Sequence, residues 1–335
     1  METLISSDVR LLANLIQEGK VVIFPTETVY GIGASTKLEK ACLRVYEIKG
    51  RPKDNPLIAH FDSIESIAAV CELGDVGRML LERFSPGPLT LILPKKDKSL
   101  FPKELDTLAV RIPKSPVVRE WIKLSGGPIS APSANLSGRP SLTKLTDVKR
   151  YFDGVVDGIL LAEEPSFGIE STVVSLVSKT PVLLRPGSIE SKELLTILPD
   201  LVVPDPYTKN ELFSVPLSPG TKYKHYAPTA RVILATTDEF IYSLNTMSES
   251  KTSAWIGFSF EGKEDEKKKQ KIGKQPLNEF DTYCKVTSNE EYASKLYAFF
   301  ESCDLFGIQT IFCELPPQSI GSEGLRNRLD KASNV

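Results

Sequence analysis

Histidine is nearly missing from this 335-residue chain, which has only His60 and His225. Two histidines exclude a multi-histidine metal site. A Ser-His-Asp hydrolase would have to use one of them, and no Gly-x-Ser-x-Gly elbow is present to carry its nucleophile. Cysteine is also sparse, at positions 42, 71, 284, 303 and 313. The number is odd, the gaps are wide and no Cys-x-x-Cys occurs, so neither a disulfide framework nor a zinc site is indicated. There is no excess of charge of one sign: 41 basic against 43 acidic residues leave a net charge of −2. No global basic field draws the chain to nucleic acid, and any contact with RNA would need a local patch. No apolar run approaches the ~20 residues of a membrane span. The pattern Gly-x-x-x-x-Gly-Lys-Ser/Thr appears nowhere, which excludes a Walker phosphate loop. The segment from Met1 to Asp8 lacks the basic and apolar regions of a signal peptide, so a cytoplasmic protein is expected.

The composition, 41% hydrophobic and 25% charged, is that of an ordinary globular protein, and the length suits two domains. Apolar spacing predicts a helix over 8–19, stopped at Gly19, then a buried strand Val21–Phe24 ended by Pro25. Further helices are expected over 38–48 and 62–70. Strands are expected at 56–60, 89–93, 109–112, from 129, and as a β pair at 172–177 and 182–184. Alternating strands and helices argue an α/β or α+β domain with a mixed sheet. Residues 199–228 carry six prolines with little periodicity and read as an extended linker. Beyond it, strands at 231–235 and 254–258 and helices near 237–246 and 289–303 predict a small α/β domain. Residues 261–274 read as a solvated, lysine-rich insertion. The expected division is 1–205, 206–229 as linker, and 230–335.

Five stretches hold the residues that chemistry would need. Lys49-Gly-Arg-Pro-Lys-Asp-Asn-Pro-Leu57 sets three cations at alternate positions. In an extended strand they would face the same way, with Pro52 biasing Arg51 toward extended backbone and Gly50 allowing close approach to a ligand. Read alone, the segment fits a phosphate site or a hydrated basic loop equally. Phe24-Pro-Thr-Glu-Thr-Val-Tyr-Gly follows a buried strand and offers hydroxyls at Thr26 and Thr28, where α/β proteins usually bind ligands. Ser130-Ala-Pro-Ser-Ala-Asn-Leu-Ser-Gly-Arg-Pro-Ser gathers small donors and acceptors. Glu170-Ser-Thr-Val-Val, followed by Leu184-Arg-Pro-Gly, sets Ser171 at a strand start and Arg185 at a strand end. Ser218-Pro-Gly-Thr-Lys-Tyr-Lys-His-Tyr-Ala-Pro is dense in aromatics and cations for a passive spacer, and could strap over a nucleotide.

In this order the motifs resemble those of the YrdC-like family of L-threonylcarbamoyladenylate synthases. The Lys-Tyr-Lys-His-Tyr linker, with Gly324-Leu and Asn327-Arg-Leu further on, resembles the long form that has an extra C-terminal domain. The resemblance implies a twisted mixed sheet with a large concave cavity, plus a small Rossmann-like α/β domain joined by the linker. It implies synthesis of threonylcarbamoyl-AMP from L-threonine, bicarbonate or CO2, and ATP, releasing pyrophosphate. A partner transferase complex would then modify the adenosine next to the anticodon of tRNA. Carried over, threonine would be held by Thr28, His60, Arg111, Ala131 and Ser171. ATP would meet Lys49, Arg51, Asn55, Thr107, Ser133, Asn135, Ser141, Arg185 and, from the linker, Tyr223. Lys49 and Arg51 would serve the reacting phosphates, and Mg²⁺ would be held mainly by ATP rather than by protein ligands. Two other readings stay open. One is an RNA-binding module, with weak double-stranded RNA or tRNA binding on a concave basic face. The other is a carbamoyl-transfer domain of the hydrogenase-maturation kind, against which the lack of Cys-x-x-Cys pairs counts.

Overall fold

The computed structural model describes residues 2–204, 226–247, 252–259 and 282–333. Tyr223, most of the proline-rich linker and the lysine-rich insertion at 261–274 lie outside the described residues. Two sheets organise the chain. The first runs β1 (Leu4–Ser6), β8 (Gly158–Leu160), β2 (Val22–Phe24), β3 (Gly31–Ser35), β7 (Ile129–Ala131), β4 (Ile58–His60), β6 (Thr107–Arg111), β5 (Leu89–Pro94), β9 (Thr172–Ser175) and β10 (Val182–Arg185). It is mixed. β1, β8 and β2 are parallel, as are β4 with β6 and β5 with β9, and the remaining neighbours are antiparallel. The second is a parallel sheet of β11 (Arg231–Ala235), β14 (Thr310–Glu314), β12 (Ser253–Gly257) and β13 (Tyr283–Lys285).

Helices cover these sheets because their apolar positions recur at helical spacing. In α1 (Val9–Gln17), Asp8 caps the first turn through the N–H groups of Arg10 and Leu11. Leu12, Ala13 and Ile16 then face Trp121 and Ile122 of α5 (Pro116–Leu124). Burying such a side chain contributes about 1.5–3 kcal/mol. α2 (Glu39–Lys49), α3 (Ile64–Val70), α4 (Gly74–Phe84), α6 (Leu145–Phe152) and α7 (Ser191–Leu195) complete the first unit, and α8 (Thr237–Met247), α9 (Asn289–Leu305) and α10 (Ser322–Ser333) belong to the second.

The expected extended row of cations does not form. Lys49 closes α2, and Gly50 takes the left-handed conformation at φ 59° that ends it. A helix end followed by a turn replaces the strand, because glycine alone adopts that backbone at no steric cost. Gly50 is therefore a helix stop, and a Cβ placed on it would meet nothing within 4 Å. Lys49 and Arg51 are buried while Lys53 is exposed.

The two units meet through α9 and α10. One apolar cluster joins Val29 and Ile169 of the first unit to Leu296, Tyr297, Phe300, Leu325 and Leu329 of the second, with Tyr226 between them. Backbones also touch closely. A Cβ on Gly324 in α10 would stand 2.6 Å from the carbonyl oxygen of Gly187, and Gly168 packs onto the backbone of Ala293 and Ser294.

Candidate active site

His60 and Arg111 are register partners on the parallel strands β4 and β6, at their C-terminal ends, and His60 also lies opposite Ile129 of β7. Strand ends of this kind are where α/β sheets receive ligands. They border a cleft of roughly 680 Å³, open solvent included, that takes in most of the motifs. At one end stand His60, Arg111, Thr26 and the backbone around Ala131. At the other stand Lys49, Arg51, Ser133, Asn135, Ser141 and Arg185.

Arg111 is fixed by Glu27, whose carboxylate accepts from its Nη2 at 2.8 Å and from the backbone N–H of Lys114 at 2.9 Å. Burial pushes the Glu27 carboxyl up, but the Arg111 charge and these hydrogen bonds outweigh it and hold the pKa below the ordinary value. The Nε of Arg111 is buried without a partner among the described residues. A buried donor left unpaired costs about 1–3 kcal/mol, so this nitrogen suits an incoming acceptor. Burial, reinforced by the Arg111 charge, depresses the His60 pKa to about 3. The imidazole is neutral, with Nδ1 3.0 Å from the carbonyl of Ile58 and its ring edge against Phe24.

At the cationic end, Lys49 Nζ reaches the carbonyls of Ser133 and Asn135 and, at 3.1 Å, Asn135 Oδ1. Burial and the Arg51 charge pull its pKa well below the ordinary value. Arg51 is held by the carbonyls of Asn55 (Nε, 3.0 Å) and Pro56 (Nη2, 3.3 Å). Burial lowers its pKa to about 10, which leaves it charged. Arg185 donates to the carbonyl of Ser171 at 3.0 Å and to its Oγ at 3.1 Å. The Ser141 hydroxyl donates to Glu170 at 2.5 Å. Such an array of desolvated cations is poised for a polyanion, whose charge offsets the cost of burying them.

Some expected residues stand elsewhere. Thr28 is fully buried and reaches the cleft only through its 2.8 Å hydrogen bond with Thr26, which does line it. Ser171 lies behind Arg185 and bonds Thr90 at 2.8 Å. Asn55 is buried beside Arg51, and its amide has no partner among the described residues. Thr107 starts β6 opposite Pro94, about 13 Å along the strand from Arg111, and is not brought to the cleft. Glu170, Arg139 and Tyr226 line the cleft but were not expected to. All three lie inside the motifs, where alternation in an irregular loop gives no clue to which side chain turns inward. Tyr226 has φ 72°, rare for a residue with a Cβ. It is stacked on Tyr297 at 5.9 Å and covered by the Arg328 guanidinium at 5.1 Å.

Comparison with known proteins bears on this site. Residues 14–187 match the Sua5/YciO/YrdC family, described as telomere recombination. Residues 189–334 match the threonylcarbamoyl-AMP synthase C-terminal domain. The chain is 38% identical over 328 residues to a threonylcarbamoyl-AMP synthase of Pyrococcus abyssi, covering 97% of this chain and 94% of that protein. A synthase of Schizosaccharomyces pombe is 32% identical over 94% of this chain and 85% of its own length. A crystal structure of P. abyssi Sua5 complexed with L-threonine superposes with a TM-score of 0.83 at 35% identity, over 99% of this chain and 97% of that one.

Proposed function

This chain belongs to the Sua5/YciO/YrdC family and carries its C-terminal Sua5 domain, and from that membership we propose that its cleft makes L-threonylcarbamoyladenylate. The observation that carries the reading is convergence: motifs spread from Thr26 to Arg185 border one cleft, with a neutral histidine and an arginine at one end and a cation cluster at the other. Threonine fits the first end, its carboxylate on Arg111, since a guanidinium pairs with a carboxylate bidentately. ATP fits the second, its phosphates toward Lys49, Arg51 and Arg185 and its nucleoside toward Ser133, Asn135 and Ser141, with Asn55 behind Arg51. From the described part of the linker, Tyr226 also borders this cleft.

The threonine amine adds to CO2, from bicarbonate, to give a carbamate and release a proton. A carbamate oxygen attacks the α-phosphorus in line, the new P–O bond forms as the bond to the β-phosphate oxygen breaks, and pyrophosphate leaves with that electron pair. Transfers of this kind depend on positioning and on neutralising phosphate charge, so the chain needs fixed cations more than acids or bases. Among the described residues, Glu170 lines the cleft and is already committed to Arg328, and Glu27, behind it, is committed to Arg111. A Mg²⁺ ion would therefore ride on the ATP phosphates, where it offsets their charge. We read residues 1–205 as the catalytic unit, 206–229 as the linker and 230–335 as the second domain. The product would pass to a tRNA-modifying transferase complex.

The test is to incubate the chain with ATP, Mg²⁺, L-threonine and labelled bicarbonate. Pyrophosphate release that needs threonine, with label in an adenylate, is expected. Release that ignores threonine would overturn the reading.

A further inference from the structure

Glu170 is an odd residue to find on the wall of a cleft built for a triphosphate. Its carboxylate lies on the side of Ser141 and Arg185, where a negative charge would repel the ligand. It is buried, so water cannot screen it. What faces it comes from the other unit. Arg328 of α10 donates from Nε to Glu170 Oε2 at 2.7 Å, and from Nη2 to the Glu170 carbonyl at 3.3 Å. A third contact runs from Arg328 Nη1 to the carbonyl of Pro186, next to Arg185, at 2.9 Å. The Tyr297 hydroxyl of α9 donates to the same carboxylate at 3.2 Å. Burial alone would push the Glu170 carboxyl up, and the Arg328 and Arg185 charges reverse that, so the group stays ionised. Arg328 is itself fully buried, and it covers the face of Tyr226.

We propose that Arg328 is a positioning and charge-balancing residue for the nucleotide: from the C-terminal domain it neutralises Glu170, which in turn fixes Ser141, and through the Pro186 carbonyl it holds the strand end that carries Arg185. The inference rests on reading this end of the cleft as the ATP end. It gives the second domain a part in the reaction without placing any of its atoms on the substrate. Arg328 answers one negative charge with one positive charge. Without it, the carboxylate on the wall loses the charge that pairs with it directly and draws on Arg185, which the phosphates also need.

The experiment measures ATP and L-threonine affinity separately by calorimetry on the full chain. Arg328→Met is expected to weaken ATP binding roughly tenfold or more, the weight of one unscreened like charge across a cleft, and to leave threonine affinity within about twofold. Adding Glu170→Gln to Arg328→Met is expected to restore most of the ATP affinity, because the charge is gone while an amide can still meet Ser141. Glu170→Gln alone is expected to bind ATP as well as or better than the parent, and it tests the idea even if Arg328→Met does not fold. Three results would overturn the proposal: unchanged ATP affinity in Arg328→Met, equal loss for both ligands without rescue, or tenfold weaker ATP binding in Glu170→Gln. Arg51→Ala separates this from the site assignment. If Arg51→Ala loses ATP and Arg328→Met does not, only the inference fails. If neither loses ATP, the placement of ATP fails.

Discussion

Arg51 and His60 carry different kinds of expectation. Arg51 lines the cleft, is desolvated, and is aimed by two backbone carbonyls. A charge-assisted contact to phosphate contributes about 1.5–3 kcal/mol. Arg51→Ala should therefore lower turnover about tenfold or more, read as threonine-dependent pyrophosphate release; an unchanged rate would take the phosphates away from this arginine. His60 bears on stability. Its pKa is depressed from 6.5 to about 3 by burial and the Arg111 charge. Between those values the unfolded chain binds a proton that the folded chain refuses. Stability from this residue is complete above pH 6.5 and is lost as pH falls toward 3. Near pH 5 the loss is about 2 kcal/mol relative to neutral pH. Urea denaturation of the parent and of His60→Gln at both pH values should show the parent losing that much more; equal losses would mean His60 takes up its proton in the folded state. At this scale the sequence was partly legible. His60, Arg111 and Arg185 stand out by type at the ends of expected strands, and Lys49 and Arg51 by the Lys-Gly-Arg-Pro stretch that holds them. Thr26 and Thr28 could not be told apart, because a turn decides which hydroxyl faces inward.

Helices and long apolar strands were readable where an apolar period and a stop agree, as in α1, which ends at Gln17 just before the expected stop at Gly19. β1 and β8 were not read, although β2, β4 and β7 are equally short. β3 hid for a reason of its own. Its two glycines are poor strand formers by type, but they are there for space: a Cβ on Gly31 would lie 2.9 Å from the Phe24 ring. The same distinction between conformation and space gives a paired test. Gly77 in α4 and Gly324 in α10 are both helical. A Cβ on Gly77 would meet the tip of Leu73 at 2.9 Å, which can swing aside. Gly77→Ala should be neutral or stabilising by up to about 1 kcal/mol, from helix propensity. On Gly324 the obstacle is the backbone oxygen of Gly187 at 2.6 Å, which cannot. Gly324→Ala should destabilise by about 1–3 kcal/mol and draw α10 away from Glu170. Thermal melts of the two variants check this, and similar shifts in both would show that α10 does not seat as tightly as the glycine contact implies.

The whole molecule joins one self-contained unit to another through a shared wall. Several apolar clusters close within residues 12–201, so the first unit owns most of its core. The cluster around Tyr226 does not close without α9 and α10. Other ties cross the same boundary: Arg139 to Asp304 at 2.8 Å, Tyr151 to Glu301 at 2.8 Å and Ser191 N–H to Glu323 at 2.7 Å. The order of the motifs foretold two domains, but their mutual dependence is a matter of packing that no local pattern announces; Glu170 and Arg328 lie 158 positions apart. A chain ending at residue 205 should therefore fold and work poorly. It keeps the sheet that carries His60 and Arg111 and the helix end that carries Lys49 and Arg51, and loses Tyr226 together with Arg328 and Tyr297, the two partners of Glu170 Oε2. Circular dichroism should show a folded unit, while threonine-dependent pyrophosphate release should fall about tenfold or more, as expected when a charge-assisted network loses one side. Introducing Glu170→Gln into the shortened chain should recover part of its ATP affinity by removing the stranded charge, but not the part owed to Tyr226. Full activity in the unmodified short chain would mean that the second unit does not complete the site.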